Sequence, residues 1–246
     1  MIKQKKGITH IEMVISFAIF ISFVVFMLIF FKPLKIPLKS SALLETTESK
    51  ILEDVSTNLS VVSVKITPPN SQPTCYFLAS DISEKIIVRD AAENRESANI
   101  GTGENAGKIY FEKSSSVENF YKIYSSDEFA EKDVSNTALC GEVQTSTLGV
   151  KKVYRKVSLS KLKAFFDAYN NPASYTPLKT NLGLKNDFNV FVRDNEGNII
   201  TYGNTEFKGE NFKPSGVEIM AKELPIEILN GSADTMPAII NIRVWG

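Results

Sequence analysis

Hydrophobic positions along this chain fall into three regimes. From Met13 to Phe31 no charged residue interrupts an apolar run. Twenty-one helical residues from Ile11 to Phe31 would rise roughly 31 Å, enough to cross a hydrocarbon core of roughly 30 Å. Pro33 and Pro37 then interrupt the pattern, since each removes a helical hydrogen bond. A second helical pattern runs from Leu38 to about Leu59, where Leu44, Ile51, Leu52, Val55 and Leu59 form a stripe beside polar Glu45, Glu48, Lys50, Glu53 and Asp54.

Beyond Pro68-Pro69 the period shortens to two. Cys75–Ala79, Lys85–Arg89, Lys108–Glu112 and Phe120–Tyr124 read as strands, with Asp90–Gly107 and Ser125–Leu139 as loops. Leu162, Phe165, Phe166 and Tyr169 recur at helical spacing, so a helix is predicted at about Ser160–Tyr169. Ser158 or Ser160 would cap it, and Asn171-Pro172 would end it. Phe188–Arg193 and Ile199–Tyr202 flank Asp194-Asn195-Glu196-Gly197-Asn198 and predict a hairpin. The tail adds strands over Gly216–Ala221 continuing through Glu227–Leu229, and over Ala238–Trp245. The fold class expected is α+β: a long N-terminal hydrophobic helix followed by a β-dominated, mostly antiparallel head. The expected organisation is a basic leader (1–7), a transmembrane and assembly helix (8–31), a Pro-interrupted helical stalk (32–60) and an extracytoplasmic head (61–246).

The residues ahead of the apolar run carry the most specific signal. Lys3, Lys5 and Lys6 precede Gly7, and Ile8-Thr9-His10-Ile11-Glu12 leads into the helix. An ordinary secretory signal has a shorter apolar core followed by a small-residue cleavage site. Here Lys32 and Pro33 follow the run, and the small residue lies before it. Leader, glycine, acid five residues later and apolar helix together resemble the class III signal of type IV prepilins and related pilin-like proteins, over about the first 31 residues. Bacterial members usually carry Phe after the glycine, where this chain has Ile8, a departure that fits a minor pilin, a pseudopilin or an archaeal pilin-like protein better than a bacterial major pilin.

The resemblance implies cleavage between Gly7 and Ile8 by a prepilin peptidase, with Lys5 and Lys6 in the leader. It implies membrane lipid and other pilin-like subunits as partners, and assembly into a pilus-like filament or pseudopilus. Glu12 would meet the new α-amino group of Ile8 on a neighbouring subunit. An α-amino group titrates near 7.7–8.0, so the pair would be charged and would fix helix register. A carboxylate in a membrane helix costs roughly 2.5–3.5 kcal/mol at the centre and is usually retained for a partner. Lysines flank both ends of the span, so the positive-inside balance does not orient it. The resemblance does: N-terminus cytoplasmic, head outside, at the cell surface if assembled. The alternative is an uncleaved single-pass membrane anchor presenting a binding domain, with Gly7 and Glu12 incidental.

Charge and composition exclude several classes. Lysine and arginine number 28 against 28 acids, and removal of residues 1–7 leaves 25 − 28 = −3. No basic block lies outside the helix flanks, so no nucleic-acid partner is expected. His10 is the only histidine, which rules out Ser-His-Asp and Cys-His sites in the head and histidine-based zinc or non-haem iron centres. The run Gly101-Thr102-Gly103-Glu104-Asn105-Ala106-Gly107-Lys108 fails both phosphate-loop spacings, at Ala106 for a dinucleotide loop and at Thr102 for a Walker loop. Asp187, Asp194 and Glu196 match no EF-hand pattern and read as turn residues. No enzymatic activity, cofactor or metal is expected. Cys75 and Cys140 are the only cysteines. In an oxidising compartment they permit one disulfide, and otherwise stand as two buried thiols. Asn58-Leu-Ser60 and Asn230-Gly-Ser232 match the N-glycosylation acceptor pattern.

Overall fold

The computed structural model describes residues 8–30, 38–68, 73–82, 84–112, 119–130, 134, 137–209 and 216–245. It divides into two compact units, 1–43 and 44–246. In the first, helix α1 covers Ile8–Phe30. Helix α2 covers Leu38–Val55 and leads into the second unit.

Among the described residues fifteen strands follow α2. They are β1 (Ser56–Thr67), β2 (Cys75–Ala79), β3 (Ile86–Asp90), β4 (Arg95–Glu96), β5 (Ala98–Ile100), β6 (Lys108–Glu112), β7 (Phe120–Ser125), β8 (Cys140–Glu142) and β9 (Thr145–Leu148), then β10 (Lys152–Ser158), β11 (Asp187–Arg193), β12 (Thr201–Tyr202), β13 (Thr205–Glu206), β14 (Met220–Leu229) and β15 (Thr235–Trp245). Helices α3 (Leu159–Tyr169) and α4 (Pro172–Asn181) lie between β10 and β11. The main sheet has the order β11-β15-β14-β10-β1-β7-β3-β4, with β9 continuing beside β1 past the end of β10. A second sheet has the order β5-β6-β2-β8. Every pairing is antiparallel except β10 with β14 and β2 with β8.

Two expectations need correction. The class is not α+β built on a long hydrophobic helix. Among the described residues strand outweighs helix, 43% to 29%, so the described body is mostly β. The membrane-crossing helix is also not found. Among the described residues no helix is long and apolar enough to cross a membrane. The expected transmembrane helix and single-pass membrane placement therefore have no described helix to carry them.

Other boundaries moved for local reasons. The stripe through Leu59 ends as a helix at Val55, and Ser56 begins the twelve-residue β1. Leu59 fits both patterns, because it lies four residues after Val55 and also within the alternation of β1. The region expected as a loop at Asp90–Gly107 contains β4 and β5, of two and three residues. Asn171-Pro172 ends α3 and also starts α4: the Asn171 side chain accepts from the Ala173 amide at 3.0 Å, and Pro172 occupies the first turn, where its missing N–H is harmless. The hairpin turn at 194–198 forms, but β11 takes β15 as its strand partner; the second arm contributes a single bridge, Arg193 to Ile199.

The buried residues of the body fall into several clusters. Val64, Val88, Ile109 and Phe111 are fully buried where β1, β3 and β6 meet, with Tyr76 and Tyr121 beside Phe111. Helix α3 sends Leu162, Phe165, Phe166 and Tyr169 inward, as its spacing requires, and Phe166 stacks on Phe207 at 5.4 Å. Ser158 caps α3 by accepting from the Lys161 amide at 3.0 Å. Cys75 and Cys140 face each other across the β2–β8 pairing and are joined as a disulfide, with Cα atoms 4.5 Å apart. Closing a loop of 65 residues stabilises by about 4 kcal/mol on the chain-entropy estimate.

Candidate functional site

The functional residues read from sequence fall partly within and partly outside the described residues. Lys5, Lys6 and Gly7 lie outside the described residues, as does the side chain of Ile8. Glu12 is exposed on α1 and makes no ion pair among the described residues. Asn58 is exposed on β1, opposite Arg155 of β10. The Asn230 side chain organises the turn between β14 and β15, accepting from the amides of Ser232 at 2.8 Å and Asp234 at 3.0 Å.

Helix α1 is unusual in what it shows to solvent. Met13 is 73% exposed, Val14 67%, Phe17 65% and Phe20 61%; Ile15, Ile19, Phe23 and Phe26 are also exposed. These positions run round the whole helix and do not mark one stripe. Polar groups are few: Glu12, Ser16 and Ser22, whose hydroxyl donates back to Ala18 O at 2.8 Å. A helix apolar on all sides is stable only when something apolar surrounds it.

The body holds a second feature that sequence reasoning passed over. β10 and β14 run parallel and pair only at Val157–Ile228 and Ser158–Leu229. Towards their N-terminal ends they diverge, so 152–156 and 220–227 have no strand partner on their facing edges among the described residues. Helix α2 flanks both edges. Glu48 pairs with Lys222 at 2.7 Å, and Arg155 Nη2 donates to Leu52 O at 3.3 Å. Lys156 and Glu227 form an ion pair near the closed end. A cavity of about 640 Å³ fills the opening, lined by Leu52, Arg155, Val157, Ile226, Glu227 and Ile239 among others. Lys161 donates to Ser56 O at 2.7 Å, and its charge offsets part of the burial that raises the Asp54 carboxyl pKa.

A polar cavity of about 750 Å³ lies beside α3, among Asp167, Asn170, Asn171, Asn204, Thr205 and Glu206. Hydrogen bonds from Lys163 and Thr205 hold the Asp167 pKa below the ordinary carboxylate range. The carboxylate is thus committed to its neighbours. Among the described residues no group of three His, Cys, Asp or Glu side chains could hold a metal ion.

The chain matches no family model, no curated protein and no solved structure. The chemistry above therefore has to be read from these residues alone.

Proposed function

We propose that the chain is a structural assembly subunit, joined to sister subunits through α1. The observation that carries this reading is the exposure of apolar side chains on every side of that helix. Burying a single Phe or Leu side chain is worth roughly 1.5–3 kcal/mol, so bundling such helices would drive association strongly. Helices of sister subunits offer matching cover, and Glu12 supplies the polar group that fixes register once it is removed from water. Its partner in this reading is the α-amino group of Ile8 after cleavage following Gly7, as the leader's resemblance to pilin-like proteins implies. The body is then cargo, closed by its own core and by the Cys75–Cys140 bridge.

The test is the mature N-terminus together with proximity between copies. N-terminal sequencing should find a chain that begins at Ile8. A Phe20→Cys variant should cross-link between copies under mild oxidation, and Glu12→Ala should weaken or scramble that cross-link. A chain that keeps Met1 and gives no cross-linked dimer at Phe20→Cys would overturn the reading.

A further inference from the structure

The divergence between β10 and β14 leaves two strand edges facing each other, which is the geometry of a strand-acceptor cleft. We infer that this cleft binds an extended segment of a partner protein, in which apolar and acidic residues alternate, as an added strand between β10 and β14.

The two faces of the cleft follow from contacts already given. Arg155 and Lys222 both reach α2, so they lie on the α2 side of the sheet. Side chains alternate along a strand, which puts Val153 and Val157 on that same side of β10, and Leu224 and Ile226 on that side of β14. Of these, Val157 and Ile226 line the cavity with Leu52 of α2, which gives the α2 side an apolar patch beside Arg155 and Lys222. The opposite side carries Lys152, Tyr154 and Lys156 from β10, with Glu223, Pro225 and Glu227 from β14. A strand laid between them would point alternate side chains at an apolar wall and at a lysine-bearing one. The free stretch of β10, five residues, is about 17 Å long at roughly 3.3 Å per residue, so it would pair about five residues of the partner.

Charge selects the partner's sign. Lys151, Lys152, Arg155 and Lys156 lie in six consecutive residues at the free edge; Lys156 is paired with Glu227 and Arg155 donates to Leu52 O, which leaves Lys151 and Lys152 to select the sign. The acids that face them are largely committed: Glu227 to Lys156, Glu223 to Arg193 and Asn241, and Glu48 to Lys222. Lys151 and Lys152 form no ion pair among the described residues, while Val150 is 82% exposed and Val153 57%. The same lysines, with Pro225 on the other edge, oppose pairing of two copies through this face, because β10 against β10 would set like charges opposite one another. A second copy is therefore the wrong occupant and an acidic strand the right one. This inference does not depend on α1 or on processing at Gly7.

The probe is a fluorescein-labelled ten-residue peptide alternating Val or Ile with Asp or Glu, titrated into the full chain and followed by anisotropy. Saturable binding is expected, weakened by about tenfold or more when lysine replaces the acids, or when alternate backbone nitrogens are methylated so that no ladder can form. Lys152→Glu, an exposed edge substitution, should weaken the acidic peptide and strengthen the lysine peptide. Amide exchange at 152–156 should slow when the acidic peptide is bound, a readout independent of any variant's folding. Equal binding of acidic and lysine peptides, indifference to N-methylation, or unchanged exchange at 152–156 would overturn the inference. So would self-association abolished by Lys152→Glu, since a second copy would then be the occupant.

Discussion

Phe20 and Phe166 are the same residue in opposite settings. Phe20, on α1, is 61% exposed, while Phe166, on α3, is 0% exposed and packs against Phe165, Tyr169 and Phe207. The contrast holds for the two units that contain them. The body buries most of its apolar residues internally, through its sheets, the amphipathic helix α3 and a disulfide. The N-terminal helix satisfies almost none of its own. Burial in the body explains a fold; exposure on α1 requires a partner. The two regions should therefore respond to substitution in different observables.

The largest expected effect sharpens that contrast. Phe166→Ala should destabilise the body by about 3–5 kcal/mol, the usual range for a large buried aromatic truncated in a close-packed core. Phe20→Ala should leave the body's stability within about 0.5 kcal/mol, as surface substitutions do, and should weaken association between copies. Trp245 is the only tryptophan and is buried at the end of β15, so urea unfolding followed by its fluorescence reports on the body alone. If Phe20→Ala lowered the urea midpoint as much as Phe166→Ala, α1 would belong to the body's core and the proposed assembly role would lose its basis.

The body was legible in sequence where local periodicity suffices. β2, β6 and β7 follow from alternation, and α3 from its i, i+3, i+4, i+7 stripe capped by Ser158. What escaped was of two kinds. Some elements were too short or ambiguous: β4 and β5 fall below the length at which a period can be counted, and Leu59 fits a helix as well as it fits β1. The rest depends on residues far apart in the chain. The cysteine pairing needs β2 and β8 side by side, 65 residues apart, and spacing alone left both thiols and a bridge open, with the bridge slightly favoured. The β10–β14 cleft is a partial absence of pairing between strands more than sixty residues apart, for which a single sequence has no signal. Of the candidate assembly site, Glu12 and the apolar run were legible as residue types; the exposure of the whole helix was not.

An intermediate effect comes from alkaline pH and should again touch only the body. Burial, with Asp187 nearby, pushes the Tyr175 hydroxyl up to about 12 from its ordinary 10, and burial raises Tyr169 as well. The unfolded chain releases these protons near pH 10 while the folded one keeps them. Their contribution to stability is thus complete below pH 10 and is lost as pH rises through about 12. The urea midpoint reported by Trp245 should fall over that window, and Tyr175→Phe should flatten the fall. A midpoint equally steep in Tyr175→Phe would show that other groups carry the alkaline transition.

The smallest effect concerns three turns of one design, all in the body. Asp90, Asp194 and Asn230 each open a five-residue turn in which the side-chain Oδ1 accepts from the amides of the third and fifth residues. In each, the fourth residue's amide donates to the first residue's carbonyl, and that fourth residue has positive φ: Glu93 at 63°, Gly197 at 91° and Ala233 at 63°. Only one of the three uses glycine, the residue that adopts this region without strain. At Gly197 an added Cβ would meet nothing within 4 Å, so Gly197→Ala isolates the backbone cost and should destabilise by about 1 kcal/mol. Ala233→Gly relieves the same strain, but the Ala233 methyl packs against the cluster of Leu59, Ile87, Phe129 and Leu229, so its gain should be smaller, about 0.5 kcal/mol or less. Paired urea titrations of the two variants separate the terms. A neutral Gly197→Ala would mean that the hydrogen bonds to Asp194, and not the conformational freedom of glycine, hold that turn.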